Sequence, residues 1–229
     1  MRQLSVQMNR IEKILGYIYL PFQLLVLPVI VVLVAAVMRL DLSNTQLNII
    51  CFAYNFFALI AIFHQFLARS AKAAFRQPGR TLSSCALGLI LHFGLTYWVG
   101  LLIVALDPEF SNVNDSALAD MIEESTVLMS ISTILFAPVA EELLFRGIVF
   151  GQLHRKWPLA AYILSAAIFS SLHVVGYIGS YPPLCLILCF IQYLPASVAL
   201  AIAYVRADTI FAPIAMHIAI NAVGTLLFQ

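Results

Sequence analysis

Six polar side chains in the second half of the chain have the types and spacings of a hydrolytic site: Glu141, Glu142 and Arg146, then His173, then His217 and Asn221. On a helix Glu142 and Arg146, four residues apart, face the same way, whereas Glu141 points about 100° round the axis. Glu142 can therefore neutralise Arg146 through charge-assisted hydrogen bonds, which leaves Glu141 uncompensated. A carboxylate without a cation, held away from bulk water, is suited to take a proton from a water molecule near neutral pH, so Glu141 is the best general-base candidate. His217 and Asn221, again four apart, offer an imidazole and a carboxamide from one helix face; two donors converging on one oxygen resemble an oxyanion hole. His173 can share or orient the same water. Phe169, one turn before His173, is expected to pack rather than react.

The elements that hold these groups must be membrane helices. Apolar residues make up 62% of the 229 positions and charged residues 10%, against about 25% charged in an ordinary soluble domain. Within the apolar run Phe136 to Phe150, an ionised residue costs roughly 2.5–3.5 kcal/mol at a helix centre, so three of them need a function or a compensation. Apolar stretches long enough to cross a bilayer run approximately Ile14 to Met38, Leu47 to Leu67, Leu82 to Leu106, Val127 to Gly151, Leu159 to Gly176, Leu184 to Tyr204 and Ile210 to Phe228. The expected fold is an all-α, polytopic transmembrane helix bundle of about seven spans, with eight possible. Residues 1–229 are expected to form one integral-membrane domain, with the candidate catalytic groups falling in about 127–228.

Loop charges orient the bundle. Arg2, Arg10 and Lys13, then Arg69, Lys72, Arg76 and Arg80, then Arg155 and Lys156, then Arg206 all fall on one side of a seven-span chain. The positive-inside rule makes that side, with the N terminus, cytoplasmic and puts Gln229 outside. The first apolar run exceeds the h-region of a signal peptide and stays as a span, which Pro21 and Pro28 are expected to kink. The segment Ala68 to Arg80 is a basic loop able to touch anionic lipid, although orientation alone accounts for it. The acidic segment from Asp107 to Glu124 lacks calcium-loop spacing and reads as a solvated connection. Cys51, Cys85, Cys185 and Cys189 lie within predicted spans, where packing is the expected role. The first three spans offer no chemistry beyond hydrophobicity. A net charge of +1 without a basic, aromatic-interleaved surface gives no reason to expect nucleic acid.

Depth sets a condition on the site. At ~1.5 Å per residue, Glu141 lies about 15 Å, His217 about 11 Å and His173 about 21 Å from the cytoplasmic ends of their spans. Tilt, or a break near Pro138, has to bring them level.

Taken together, Glu141, Glu142 and Arg146 form EExxxR, Phe169 and His173 form FxxxH, and His217 and Asn221 form HxxxN. In this order the motifs resemble the CPBP family of intramembrane proteases, which includes the type II CAAX prenyl endopeptidase and bacterial bacteriocin-immunity proteins. The resemblance runs from Phe136 to Gly224. It implies that Glu141 and His173 activate water for peptide hydrolysis while His217 and Asn221 stabilise the oxyanion, with Glu142, Arg146 and Phe169 in support. Its implied partners are a membrane-associated peptide or protein substrate and the lipid bilayer. The implied setting is a plasma (inner) membrane, and the short chain without an appended domain fits a bacterial protein. Two histidines and a glutamate could in principle hold zinc. With no HExxH helix, and with Asn221 a better donor than zinc ligand, a metal-free, glutamate-dependent hydrolase without cofactor is the favoured reading. A noncatalytic immunity or scaffold protein is the rival from another class. A proton-coupled transporter is weaker, since the two halves show no repeat symmetry.

Overall fold

The structure, a computed structural model, describes residues 3–227; Arg2 of the first basic group, and Phe228 and Gln229 at the end of the last predicted span, lie outside the described residues. Among the described residues the regular structure is helical, and only an isolated bridge between Ile178 and Tyr181 has β geometry. Five helices are long and apolar enough to cross a membrane: α1 (Arg10–Val37), α2 (Asn44–Arg76), α3 (Pro78–Leu106), α5 (Thr126–His154) and α7 (Pro183–Ala207). Two shorter apolar helices, α6 (Pro158–Leu172) and α8 (Phe211–Leu227), occupy the remaining predicted stretches. The chain is a multi-pass membrane protein built as an all-α bundle.

Local chemistry explains the boundaries. Asn9 and Glu12 make a reciprocal capping box at the start of α1, and Ser43 and Gln46 do so for α2. Pro78, Pro158 and Pro183 sit in the first turns of α3, α6 and α7, where a missing N–H costs nothing. Asp208, in the left-handed conformation at φ 61°, stops α7.

Two proline sites share one device. Pro28 in α1 and Pro138 in α5 each follow a five-residue π-helical turn, Phe22–Val26 and Ser132–Phe136, in which Leu27 N–H reaches Phe22 O and Ala137 N–H reaches Ser132 O. The widened turn keeps the preceding carbonyls clear of the proline ring, so the helix continues instead of breaking. α2 bends for a different reason. Phe63 leaves helical geometry (φ −103°, ψ 17°), and the buried carboxylate of Glu12 accepts the Phe66 N–H at 2.6 Å. A side chain has been inserted into the helical ladder.

The motif helix is the centre of the bundle. In its most apolar window 56% of α5 is buried, against 11% for α1, α2 and α3. Leu59, Phe63 and Phe66 of α2 meet Leu143, Leu144 and Ile148 of α5 in the main core, and Leu4 and Met8 of the N-terminal segment close it. Gly16 is required for this approach, since a Cβ there would strike Ile148.

Three sequence expectations change. The acidic segment is not merely a solvated connection: residues Val113–Glu124 form helix α4, capped by Asn112, with Val113 and Ile122 buried. The basic segment Ala68 to Arg80 is not a loop, because α2 runs on through Arg76 and α3 begins at Pro78. His173 is not inside its span. α6 ends at Leu172, and His173 is its C-terminal cap, followed by a short 3-10 turn at Val175–Tyr177. The glycines at 176 and 179 and the Pro182–Pro183 pair favour that turn over a longer helix.

Candidate active site

α5 carries the acidic pair through an unusual stretch. Glu142–Phe150 is π-helical, ending with Gly151 N–H on Arg146 O, and such rare turns are frequent at functional sites. Glu142 and Arg146 are fully buried and joined at 3.0 Å between Oε1 and Nη1. The other guanidinium nitrogen, Nη2, donates to Ser197 O at 3.2 Å and to Ser197 Oγ at 3.1 Å. The Phe169 ring lies 4.6 Å from the guanidinium carbon, a cation–π contact. Arg146 is thus held on three sides, by its own helix, by α7 and by α6. Phe169 does pack, as expected, and it touches every motif: it also meets the rings of His173 and His217.

The two acids separate as their spacing implied. Glu142 is sealed in the core, whereas the Glu141 side chain keeps 26% of its exposure. Glu141 faces a cavity of about 370 Å³, which His173, Asn221 and Thr133 also line. His217 bridges the acids: Nδ1 lies 2.8 Å from Glu142 Oε1 and Nε2 lies 3.9 Å from Glu141 Oε2. A carboxylate only accepts, so the Nδ1 proton points to Glu142, and Nε2 is directed at Glu141. Asn221 spends one amide hydrogen on Thr133 O at 2.9 Å, leaving a second donor.

His173 is set independently. Its Nδ1 lies 2.9 Å from Phe169 O; a carbonyl can only accept, so the neutral ring carries its proton there and presents Nε2 as an acceptor. Its ring stacks on Tyr193 of α7 at 4.1 Å. Tyr193 in turn donates to Asp115 Oδ1 at 2.6 Å and receives Asn114 Nδ2 at 3.0 Å, so α4 is tied to the histidine's support. Burial pushes the Asp115 carboxyl above its ordinary value, opposed by the Tyr193 hydrogen bond and the nearby His173. No hydrogen bond joins Glu141 to His173 among the described residues; they share the cavity, while His217 is the imidazole that approaches Glu141.

Several groups at this cavity escaped sequence reasoning. Gln23 of α1 and Asn48, Phe52 and Asn55 of α2 line it, as does Asn114 of α4. The first spans therefore do contribute polar chemistry. Asn48 and Asn55 are seven apart, two turns on one face, and that spacing of carboxamides in an apolar helix was a readable signal. Ser197 and Thr133 had none, because both act in part through backbone carbonyls. Among the described residues no group of three or more His, Cys, Asp or Glu side chains is placed to hold an ion.

No curated protein and no solved structure matches the chain. Residues 123–223, which contain all six polar residues of the motifs and Phe169, match the family model described as type II CAAX prenyl endopeptidase Rce1-like. The matched segment is thus similar to the Rce1-like CAAX proteases, and it is the segment whose Glu141, His173 and Asn221 share one cavity of the membrane helix bundle.

Proposed function

We propose that the protein is an intramembrane endopeptidase that hydrolyses a peptide bond in or near the bilayer with a water activated by Glu141. The observation carrying this reading is that a half-sheltered carboxylate faces a cavity shared with His173 and Asn221, while a second carboxylate fixes His217 against it. Glu141 takes the proton of a water, with His173 Nε2 as a second acceptor that orients it. The resulting hydroxide attacks the scissile carbonyl carbon. The free amide hydrogen of Asn221 donates to the oxygen on which negative charge develops, joined by the Nε2–H of His217 where that ring enters the cycle as the imidazolium and keeps both its protons throughout. Glu141 then returns its proton to the departing amine.

Glu142 and Arg146 position His217 without touching substrate. Gln23, Asn48 and Asn55 supply carboxamides that can both donate to and accept from the main chain of an extended peptide. The reading is metal-free: His217 Nδ1 is engaged by Glu142, and Asn221 is a donor. Substrates are membrane-associated peptides or proteins, and the family makes a prenylated C-terminal peptide the natural first probe.

The test uses purified protein in liposomes with a farnesylated peptide ending in cysteine, two aliphatic residues and a terminal residue. Glu141→Gln is expected to fold and to lose about 10²- to 10⁴-fold in rate, the usual size of a general-base contribution. Undiminished cleavage by Glu141→Gln removes the carboxylate from the mechanism. A strong chelator is expected to leave the wild-type rate unchanged; a loss that added zinc restores overturns the metal-free reading. Should the probe remain uncut by wild type, comparing membrane proteomes of cells carrying wild type and Glu141→Gln identifies the uncut substrate.

A further inference from the structure

A second cavity, of about 330 Å³, lies at the opposite pole of the charge distribution, where α2 ends, α3 begins and α7 ends. Its walls carry Arg69, Lys72, Arg76, Arg80 and Asp208. Arg69, Lys72 and Arg76 are spaced three and four apart on α2, so three cations occupy one helix face, where like charges repel. Two of the four cations are already engaged. Arg69 pairs with Glu12 at 2.6 Å and donates to Gln7 O, and Arg80 donates to Arg206 O and Gln77 Oε1. Asp208 offers little relief, because both its oxygens accept from Ser5, one from the N–H and one from the hydroxyl. Lys72 and Arg76 make no hydrogen bond or ion pair among the described residues. The cavity walls thus carry a surplus of positive charge.

The surroundings point to the source of the missing anion. The cavity sits where three membrane-crossing helices end or begin, the level at which lipid phosphates lie. Phe75, beside Arg76, is 84% exposed, and Leu82, next to the start of α3, is 72% exposed. A charged cavity flanked by bare apolar side chains matches a ligand with an anionic head and hydrocarbon tails.

We infer that the cavity lined by Arg69, Lys72, Arg76 and Arg80 binds the phosphate of an anionic membrane lipid, with its acyl chains lying along Phe75 and Leu82. Arg69 and Arg80 are pre-positioned by their own partners. Lys72 and Arg76 close on the phosphate as flexible donors. This site is independent of the peptidase reading.

The experiment measures lipid retained by the full chain in detergent, by native mass spectrometry, with phosphatidylglycerol and phosphatidylcholine offered in equal amounts. The wild type should retain phosphatidylglycerol preferentially, and Lys72→Gln/Arg76→Gln should lose about fivefold in preference for each charge removed. Arg10→Gln/Lys13→Gln, which removes the same charge elsewhere on the same membrane face, should keep the preference. Equal losses in both double variants would show a general charge effect and overturn the site. Thermal unfolding in inorganic phosphate against chloride at matched ionic strength separates the sources: a stabilisation in phosphate that Lys72→Gln/Arg76→Gln abolishes overturns the lipid assignment in favour of a soluble anion.

Discussion

Arg146 is the residue on which the site's geometry turns, although it touches no reacting atom. Its guanidinium meets Glu142, both oxygens of Ser197 and the face of Phe169 at once, a combination that needs a planar fork. An ammonium can satisfy only part of it. Arg146→Met, which leaves Glu142 buried without its cation, is expected to cost about 3–5 kcal/mol in unfolding by detergent titration. Arg146→Lys should retain more of that stability yet still lose cleavage, because Glu142 would no longer hold His217 at its present angle; unchanged activity and stability in Arg146→Lys would contradict the pairing. At this scale the sequence was informative. The spacing of four between Glu142 and Arg146 was enough to divide the acids into a sealed one and a cavity-facing one. The role of Glu142 towards His217 was not legible, since a contact between residues 75 apart depends on how α8 packs beside α5.

Among the elements, α4 had the least to recommend it in the sequence and yet forms a side of the cavity. Its charges suggested solvent, and only the structure brings Asn114, Ala117, Leu118 and Met121 to the cavity wall. Polar flanks hide such a helix because its buried face is narrow: Val113 and Ile122 are its buried apolar residues. It is fastened at both ends by carboxyl groups of opposite tendency. At its start Asp115 is raised above the ordinary range by burial; at its end Glu124 is lowered by hydrogen bonds from Ser43 and Thr45. A carboxyl raised by burial contributes most while protonated, so the buried setting of Asp115 weakens as pH rises through its folded value, the Tyr193 hydrogen bond offsetting part of the loss. A lowered one contributes above its ordinary value, so the Glu124 fastening is lost as pH falls through its folded value. Hydrogen exchange of the α4 amides, corrected for the intrinsic rate, should therefore quicken at the N-terminal end as pH rises above the ordinary aspartate value of about 4. Asp115→Asn should abolish that dependence. An unaltered profile in Asp115→Asn would assign the looseness elsewhere. The π-helical turns were equally hidden: Pro28 and Pro138 announced a disturbance, but a proline does not say whether its helix bends or widens.

For the whole molecule, composition was sufficient to establish the class, since a chain with 62% apolar and 10% charged residues can fold only among lipids. Orientation is the remaining global property with a direct test. In a cysteine-free background, Lys72→Cys should react with an impermeant maleimide only after cells are opened, and Ser111→Cys in intact cells. The reverse pattern would invert the topology. The central position of α5 bears on how the protein is made. A helix that crosses the membrane early normally leaves the insertion machinery as soon as its own residues are synthesised, and α5 emerges carrying Glu141, Glu142 and Arg146. Its partner His217 comes 75 residues after Glu142, which at 5–20 residues per second is a delay of about 4–15 s. During those seconds Glu142 and Arg146 neutralise each other within their own helix while Glu141 has no counterpart. Release of α5 into lipid is therefore expected to wait on synthesis of the last helix: a chain truncated before α8 should crosslink to the insertion machinery and be degraded faster than the full chain, although every preceding span is complete, and equal lifetimes would uncouple the two.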